Sequence, residues 1–126
     1  MTINHVFVWG TSANFVALRS FYQTILQPLH YSEMLRGSDQ LVGYGSDYPY
    51  FWLKQLPEGK TTMPTHIAFD APNREAVDKF YEVGLQNGGR GNGAPGIRKE
   101  MSRQPYYAAF LLDVDGNNIE AVYVLK

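Results

Sequence analysis

The sequence predicts an α+β protein made of two βαβββ modules, and two features carry that prediction. The segment HVFVWGTSANFVALRSFYQTIL, starting at His5, recurs in outline as HIAFDAPNREAVDKFYEVGL, starting at His66. Each copy opens with His, a β-branched residue and alternating apolar positions, then turns through polar residues into an amphipathic stretch bearing Phe-Tyr. The pairs are Phe21-Tyr22 and Phe80-Tyr81, with Leu26 and Leu85 four residues beyond each Tyr and two extra residues in the first turn. Either likeness alone could be chance, but the ordered set identifies a tandem duplication. The second feature is the run of strand-like segments, separated by turn residues, that succeeds each copy.

In chain order, residues 2–10 read as a strand by their alternation. A helix starts after Ser12 or Asn14 and brings Leu18, Phe21, Tyr22 and Ile25 onto one face. Strands come next at roughly 30–36, 40–46 and 49–55. The linker Leu56-Pro57-Glu58-Gly59-Lys60-Thr61-Thr62 is polar and broken by Pro and Gly. Module 1 therefore spans about 1–56 and module 2 about 64–126 of a single domain covering 1–126. Module 2 opens with a strand at 64–71 and enters its helix at Pro72-Asn73, where Asn73 is the expected N-cap. Val77, Phe80, Tyr81 and Leu85 form the helix's buried stripe, and Gly88-Gly89 stop it. A weaker strand near 97–101 precedes strands at 106–112 and 117–124, the last two joined by the turn Asp113-Val114-Asp115-Gly116-Asn117.

Composition narrows the function. Apolar residues make up 44% and charged residues 18%, which excludes extended disorder. A net charge of −1 leaves no electrostatic footprint for nucleic acid or an anionic membrane. Without cysteine there are no disulfides, thiolate metal sites or cysteine nucleophile. The opening MTINHVFVWG has no basic region followed by a long apolar run, and no apolar segment approaches membrane-spanning length. The expectation is a cytoplasmic protein without membrane contact. Walker, dinucleotide and nucleophile-elbow motifs are absent, so the glycines punctuate turns. Nine Tyr, seven Phe and two Trp predict a core or pocket walled by rings.

Strand alternation then singles out three residues. His5, Phe7 and Trp9 share one face of the first strand, leaving Val6 and Val8 to pack under a helix. His66, Ala68 and Asp70 are likewise separated from Ile67 and Phe69. The two histidines occupy equivalent positions, and a pseudo-twofold axis would bring them together. Glu120, between Ile119 and Ala121, faces the same side, where a carboxylate is costly unless paired, hydrogen-bonded or metal-bound. Two imidazoles and a carboxylate suit a borderline divalent cation. Taken singly, each has a plainer reading: a structural strand histidine, a salt-bridged carboxylate.

These segments, with Asn92-Gly93-Ala94-Pro95-Gly96 and Tyr106-Tyr107-Ala108-Ala109-Phe110 through Val122, resemble the vicinal oxygen chelate superfamily over nearly the whole chain. That superfamily includes glyoxalase I, extradiol dioxygenases, fosfomycin-resistance enzymes and bleomycin-resistance proteins. The resemblance implies an open, cup-shaped mixed-sheet barrel with helices outside. It places the ligands of a divalent ion (Zn, Fe(II), Mn or Ni) at His5, His66 and Glu120. Module symmetry sets Trp52 at a fourth position, so the site keeps open coordination positions. The implied activity is glyoxalase-like: metal-dependent lyase, isomerase or dioxygenase chemistry on a small oxygen-chelating substrate.

Further expectations attach to neighbouring residues. Tyr107 shares the face of Glu120 if the last hairpin pairs around Val114-Asp115, and it would then serve as a catalytic acid or oxyanion donor beside Glu120, or as wall. Phe7, Trp9 and Trp52 would line the substrate groove, and Arg98, in a cluster with Lys99 and Arg103, would clamp an anionic substrate or stand in solvent. His30 is expected at the surface, where relatives often carry Gly. Edge strands predict a homodimer. The rival reading is a non-catalytic drug or small-molecule binder like the bleomycin-resistance proteins, supported by the aromatic content.

Overall fold

The computed structural model describes residues 3–99 and 103–125. The first unit runs β1 (Val6–Gly10), α1 (Phe15–Leu26), β2 (Ser32–Ser38), β3 (Leu41–Gly45) and β4 (Phe51–Gln55). The second runs β5 (His66–Asp70), α2 (Arg74–Gln86), β6 (Arg90–Arg98), β7 (Tyr106–Leu112) and β8 (Asn118–Val124). The architecture is thus α+β, with two βαβββ modules. Each module makes its own four-stranded mixed sheet, ordered β1-β4-β3-β2 and β5-β8-β7-β6, and no barrel is closed. In both, the first strand runs parallel to the last and the other pairs are antiparallel.

The duplication is preserved in register. Phe7 lies opposite Trp52 in the first sheet, and Ala68 lies opposite Glu120 in the second. Phe7 and Ala68 each stand two residues after the module's histidine, so Trp52 and Glu120 are structurally equivalent.

Helix α1 buries Phe15, Leu18, Phe21, Tyr22, Ile25 and Leu26, with Asn14 preceding it but making no side-chain cap. Helix α2 is capped as expected: Asn73 Oδ1 accepts the Ala76 N–H at 2.8 Å, and Glu75 sits in the first turn where the helix dipole favours negative charge. Its buried face departs from the expected stripe: Val77 and Phe80 are buried together with Ala76, but Tyr81 is only half-buried. Leu85 is exposed and Gly84 faces the sheet instead, because a β-carbon there would lie 2.2 Å from Leu111 Cδ1. Glycine lets the helix sit close on β7.

Both helices pack on the faces carrying Val8 and Leu53 in one sheet and Phe69 and Ile119 in the other, and these residues form one core. The modules meet through Phe51 and Phe69, whose rings stand edge to face at 5.2 Å. Polar loops add a clamp: Asp115 accepts from Thr11 N, Thr11 Oγ1 and Asn14 Nδ2 at 2.7, 2.9 and 2.8 Å.

Two other local features are informative. Strand β6 is longer and earlier than the expected 97–101, running from Arg90 through the Gly-Asn-Gly-Ala-Pro-Gly run. That run has no strand-like alternation, but it pairs only with β7, and an edge position with register shifts tolerates Gly and Pro. Residues 100 and 101 of the expected strand, and residue 2 of the first, lie outside the described residues. His30 is exposed and holds a left-handed backbone, φ 67°, ending a short 3₁₀ turn at Gln27–Leu29. No helix among the described residues is long and apolar enough to cross a membrane.

Candidate functional site

The sheet faces opposite the helices carry the candidate site residues. On the second sheet, Ile67 and Phe69 turn toward the core, so His66 and Ala68 stand on the outer face. Ile119 and Ala121 are buried toward the helices, which leaves Glu120 on the outer face diagonally across from His66. His66 Nε2 and Glu120 Oε1 are 2.9 Å apart. The Glu120 side chain is only 8% exposed and that of His66 is 52% exposed, so a sheltered carboxylate meets an accessible imidazole. Phe110, the cross-strand partner of Glu120, completes the floor, with its ring 6.2 Å from that of His66.

This pair fits one edge of a coordination sphere. Donors about 2.1 Å from an ion and at right angles are about 3 Å apart, close to the separation seen here. It equally suits a direct hydrogen bond, so the pair alone supplies two donors and needs a third.

His5 does not join them. It immediately precedes β1 of the other sheet, exposed, with Nδ1 2.7 Å from Asn4 Oδ1 and its ring edge-on to Phe7 at 5.6 Å. Among the described residues no group of three or more His, Asp or Glu side chains is arranged to hold a metal.

Around His5 lies an aromatic face. Phe7 and Trp52 stack at 5.7 Å with planes 12° apart, and Lys54 Nζ sits 5.2 Å over the Trp9 ring. Phe7 and Trp9 are 45% and 38% exposed. The Trp52 indole lies flat against Gly43, where a β-carbon would meet three ring atoms at 3.0 Å. A pocket of about 600 Å³ opens beside Trp9, Lys54, Leu56 and Glu58. His66 and Glu120 do not line it.

Tyr107 is not on the face of Glu120, contrary to the sequence-based expectation. The hairpin pairs Leu112 with Asn118 and Tyr107 with Tyr123, centring the turn on Asp115 and slipping the register by one residue. A slip of one reverses every side chain. Tyr107 Oη therefore donates to Asp78 Oδ1 of α2 at 2.6 Å, and that bond is the main reason its pKa is raised. Phe110 takes the place beside Glu120. The same correction could have found Phe110 in the sequence, since Ala108 and Phe110 alternate with Tyr107.

Arg98 does reach the site face. Its guanidinium lies over Phe110 at 5.6 Å and donates through Nη2 to Ala94 O at 2.8 Å.

Comparison with protein-family models finds no match, and neither does comparison with curated protein sequences. Solved structures do match. A glyoxalase/bleomycin resistance protein from Albidiferax ferrireducens is 25% identical, with a TM-score of 0.77 over 93% of this chain and 96% of that one. A glyoxalase/bleomycin resistance protein/dioxygenase family enzyme from Burkholderia phytofirmans is 21% identical, with a TM-score of 0.69 over 99% and 100%. This is the vicinal oxygen chelate fold. A fosfomycin resistance protein from Listeria monocytogenes, solved with Mn(II) and a dihydroxypropylphosphonic acid, shares it at 16% identity and a TM-score of 0.64, over 95% of this chain and 87% of that one.

Within this vicinal oxygen chelate fold the two modules have diverged. The second presents His66, Glu120 and a ring on its third strand, Phe110; the first presents His5, with rings at Phe7 and Trp52 and none at Gly43.

Proposed function

We propose that the chain is a glyoxalase-like, metal-dependent enzyme acting on a small oxygen-chelating substrate, by lyase, isomerase or dioxygenase chemistry. His66 and Glu120 hold the divalent ion together with His5 contributed by a second copy of the chain. The observation that carries this reading is the 2.9 Å His66–Glu120 contact on an outer sheet face, with His5 just ahead of β1 and its ring against Phe7 on the other sheet. Two supports favour a homodimer. β1 and β5 each end their sheet, and the Phe7–Trp9 surface is apolar and exposed. Laid face to face, the first module of one copy and the second of another would complete a cup.

A bound divalent ion would supply Lewis acidity and orient adjacent substrate oxygens. The chain's own residues do the rest. Glu120 contributes the charge that favours a dication, and its shelter keeps it from water. Phe7, Trp9 and Trp52 offer flat apolar walls for the substrate and exclude solvent.

The exposed Phe7–Trp52 stack also favours a second reading, a non-catalytic binder of flat small molecules, in which His66 and Glu120 are simply hydrogen-bonded to each other. Calorimetric titration of chelator-treated protein with Mn(II), Fe(II), Ni(II) and Zn(II) separates them. His5→Ala and His66→Ala chains should each bind weakly, and co-expressing them should restore about a quarter of the sites, because mixed dimers carry one intact set. No recovery would leave His5 acting within one chain or not at all. Metal binding unaffected by either substitution would leave the binder reading.

A further inference from the structure

We propose that Arg98 determines substrate specificity on this face by recognising a carboxylate on the molecule whose oxygens are held at His66 and Glu120. The inference rests on the reading of this face as substrate-binding and deepens it to anionic substrates.

The geometry points to it in three ways. Arg98 pairs with Tyr106 at the end of β6, and Tyr106, Ala108 and Phe110 alternate onto the outer face with Glu120. Phe110 then touches both chemistries: its ring centre is 5.6 Å from the guanidinium and 6.2 Å from the imidazole of His66, so the two groups are at most about 12 Å apart. A carboxylate at Arg98 and chelating oxygens at His66 are therefore within the span of one small molecule lying over a single phenyl ring.

The guanidinium is also held in place. Nη2 donates to Ala94 O, and β-carbons at Gly96 and Gly93 would come within 3.1 Å of Nη1 and 3.3 Å of Nη2. The glycines of β6 thus make the room in which the planar group lies. Held over a ring, with donors beyond the one used by Ala94, the fork suits bidentate pairing with a carboxylate. A lysine would offer only a point charge. The ordering cost of a long side chain is largely met before the substrate arrives.

The test uses metal-free protein so that it stands apart from the metal reading. Isotope-labelled, chelator-treated protein is titrated with benzoate and with benzamide and followed by NMR. Benzoate should saturably shift the Arg98 Nε–H and the amides of Gly93, Gly96 and Phe110; benzamide at equal concentration should not. Arg98→Met keeps an apolar stem over Phe110 and should weaken benzoate at least about tenfold, as expected for loss of a charge-assisted hydrogen bond. Arg98→Lys should recover part of the loss. Shifts spread equally over Arg36, Arg74 and Arg90, or Arg98→Met binding like wild type, would overturn the proposal. Failure of metal titrations alone would instead remove the metal and leave an anion site.

Discussion

Tyr22 Oη donates to Asp113 Oδ2 at 2.5 Å, tying helix α1 of the first module to the β7–β8 turn of the second. Both residues are buried, and the carboxylate is otherwise satisfied by the turn itself: Asp115 N and Asn117 N donate to Oδ1, and Asn117 Nδ2 to Oδ2. One side chain thus shapes the hairpin and fixes it to the other half. Asp113→Ala strands several buried donors and should cost about 3 kcal/mol or more, whereas Tyr22→Phe should cost about 1 to 2 kcal/mol. Urea unfolding checks both; an Asp113→Ala loss below about 1 kcal/mol would remove it as the anchor.

The same environment makes the fold sensitive to alkali. Burial, then the Asp113 charge, raises the Tyr22 pKa, and burial, then Glu33, raises that of Tyr44. An unfolded tyrosine ionises near pH 10, about the usual value. Their folded pKa values lie higher, so their contribution is complete below about pH 10 and is lost as pH rises beyond it. Absorbance titration should show two tyrosines ionising only together with loss of circular dichroism. Tyr44→Phe should make the alkaline decline shallower.

The duplication was the most legible property of the sequence because it rests on long-period repetition, which local context does not disturb. Strand faces were legible for the same reason: Val6 and Val8 against His5, and Ile67 and Phe69 against His66, emerge from alternation alone. What alternation could not give was register. Whether the last turn centres on Val114-Asp115 or on Asp115 depends on how Asp113 and Asn117 close it, and that one-residue difference moved Tyr107 to the helix side. Strand β6 was illegible because its strand state comes from pairing with β7 rather than from its own residues. The separation of His5 from His66 was equally invisible, since equivalence under symmetry does not say which copies of the modules face each other.

Replacing Glu120 with Gln should abolish most metal affinity while sparing the fold. The side chain lies on the outer face with Phe110, away from the helix-packed core, so its volume is kept and only its charge is lost. In the proposed metal site Glu120 is a ligand, and its loss should exceed the roughly ten- to hundredfold typical of outer-shell partners. Calorimetry with Mn(II), alongside circular dichroism, measures both quantities; unchanged affinity would strike Glu120 from the ligand set.

His30→Gly should stabilise the protein. A left-handed residue costs about 1 to 2 kcal/mol for an ordinary side chain, and glycine's greater freedom when unfolded returns part of that. The net gain expected is about 0.5 kcal/mol, a rise of a few degrees in Tm. A lower Tm would mean that the exposed imidazole makes contacts worth more than the backbone relief.

The bare backbone at Gly43 has a consequence for how the protein could change over time. Trp52 can lie flat only because nothing projects from that position. Alanine there would push the indole outward by a few tenths of an ångström, altering its parallel stack with Phe7 and pulling on the bond its Nε1 donates to Pro49 O. The shape of the aromatic wall could therefore be retuned by a single methyl group, leaving His66 and Glu120 unaltered. The aromatic wall could drift in shape while the donor pair on the second module stayed as it is.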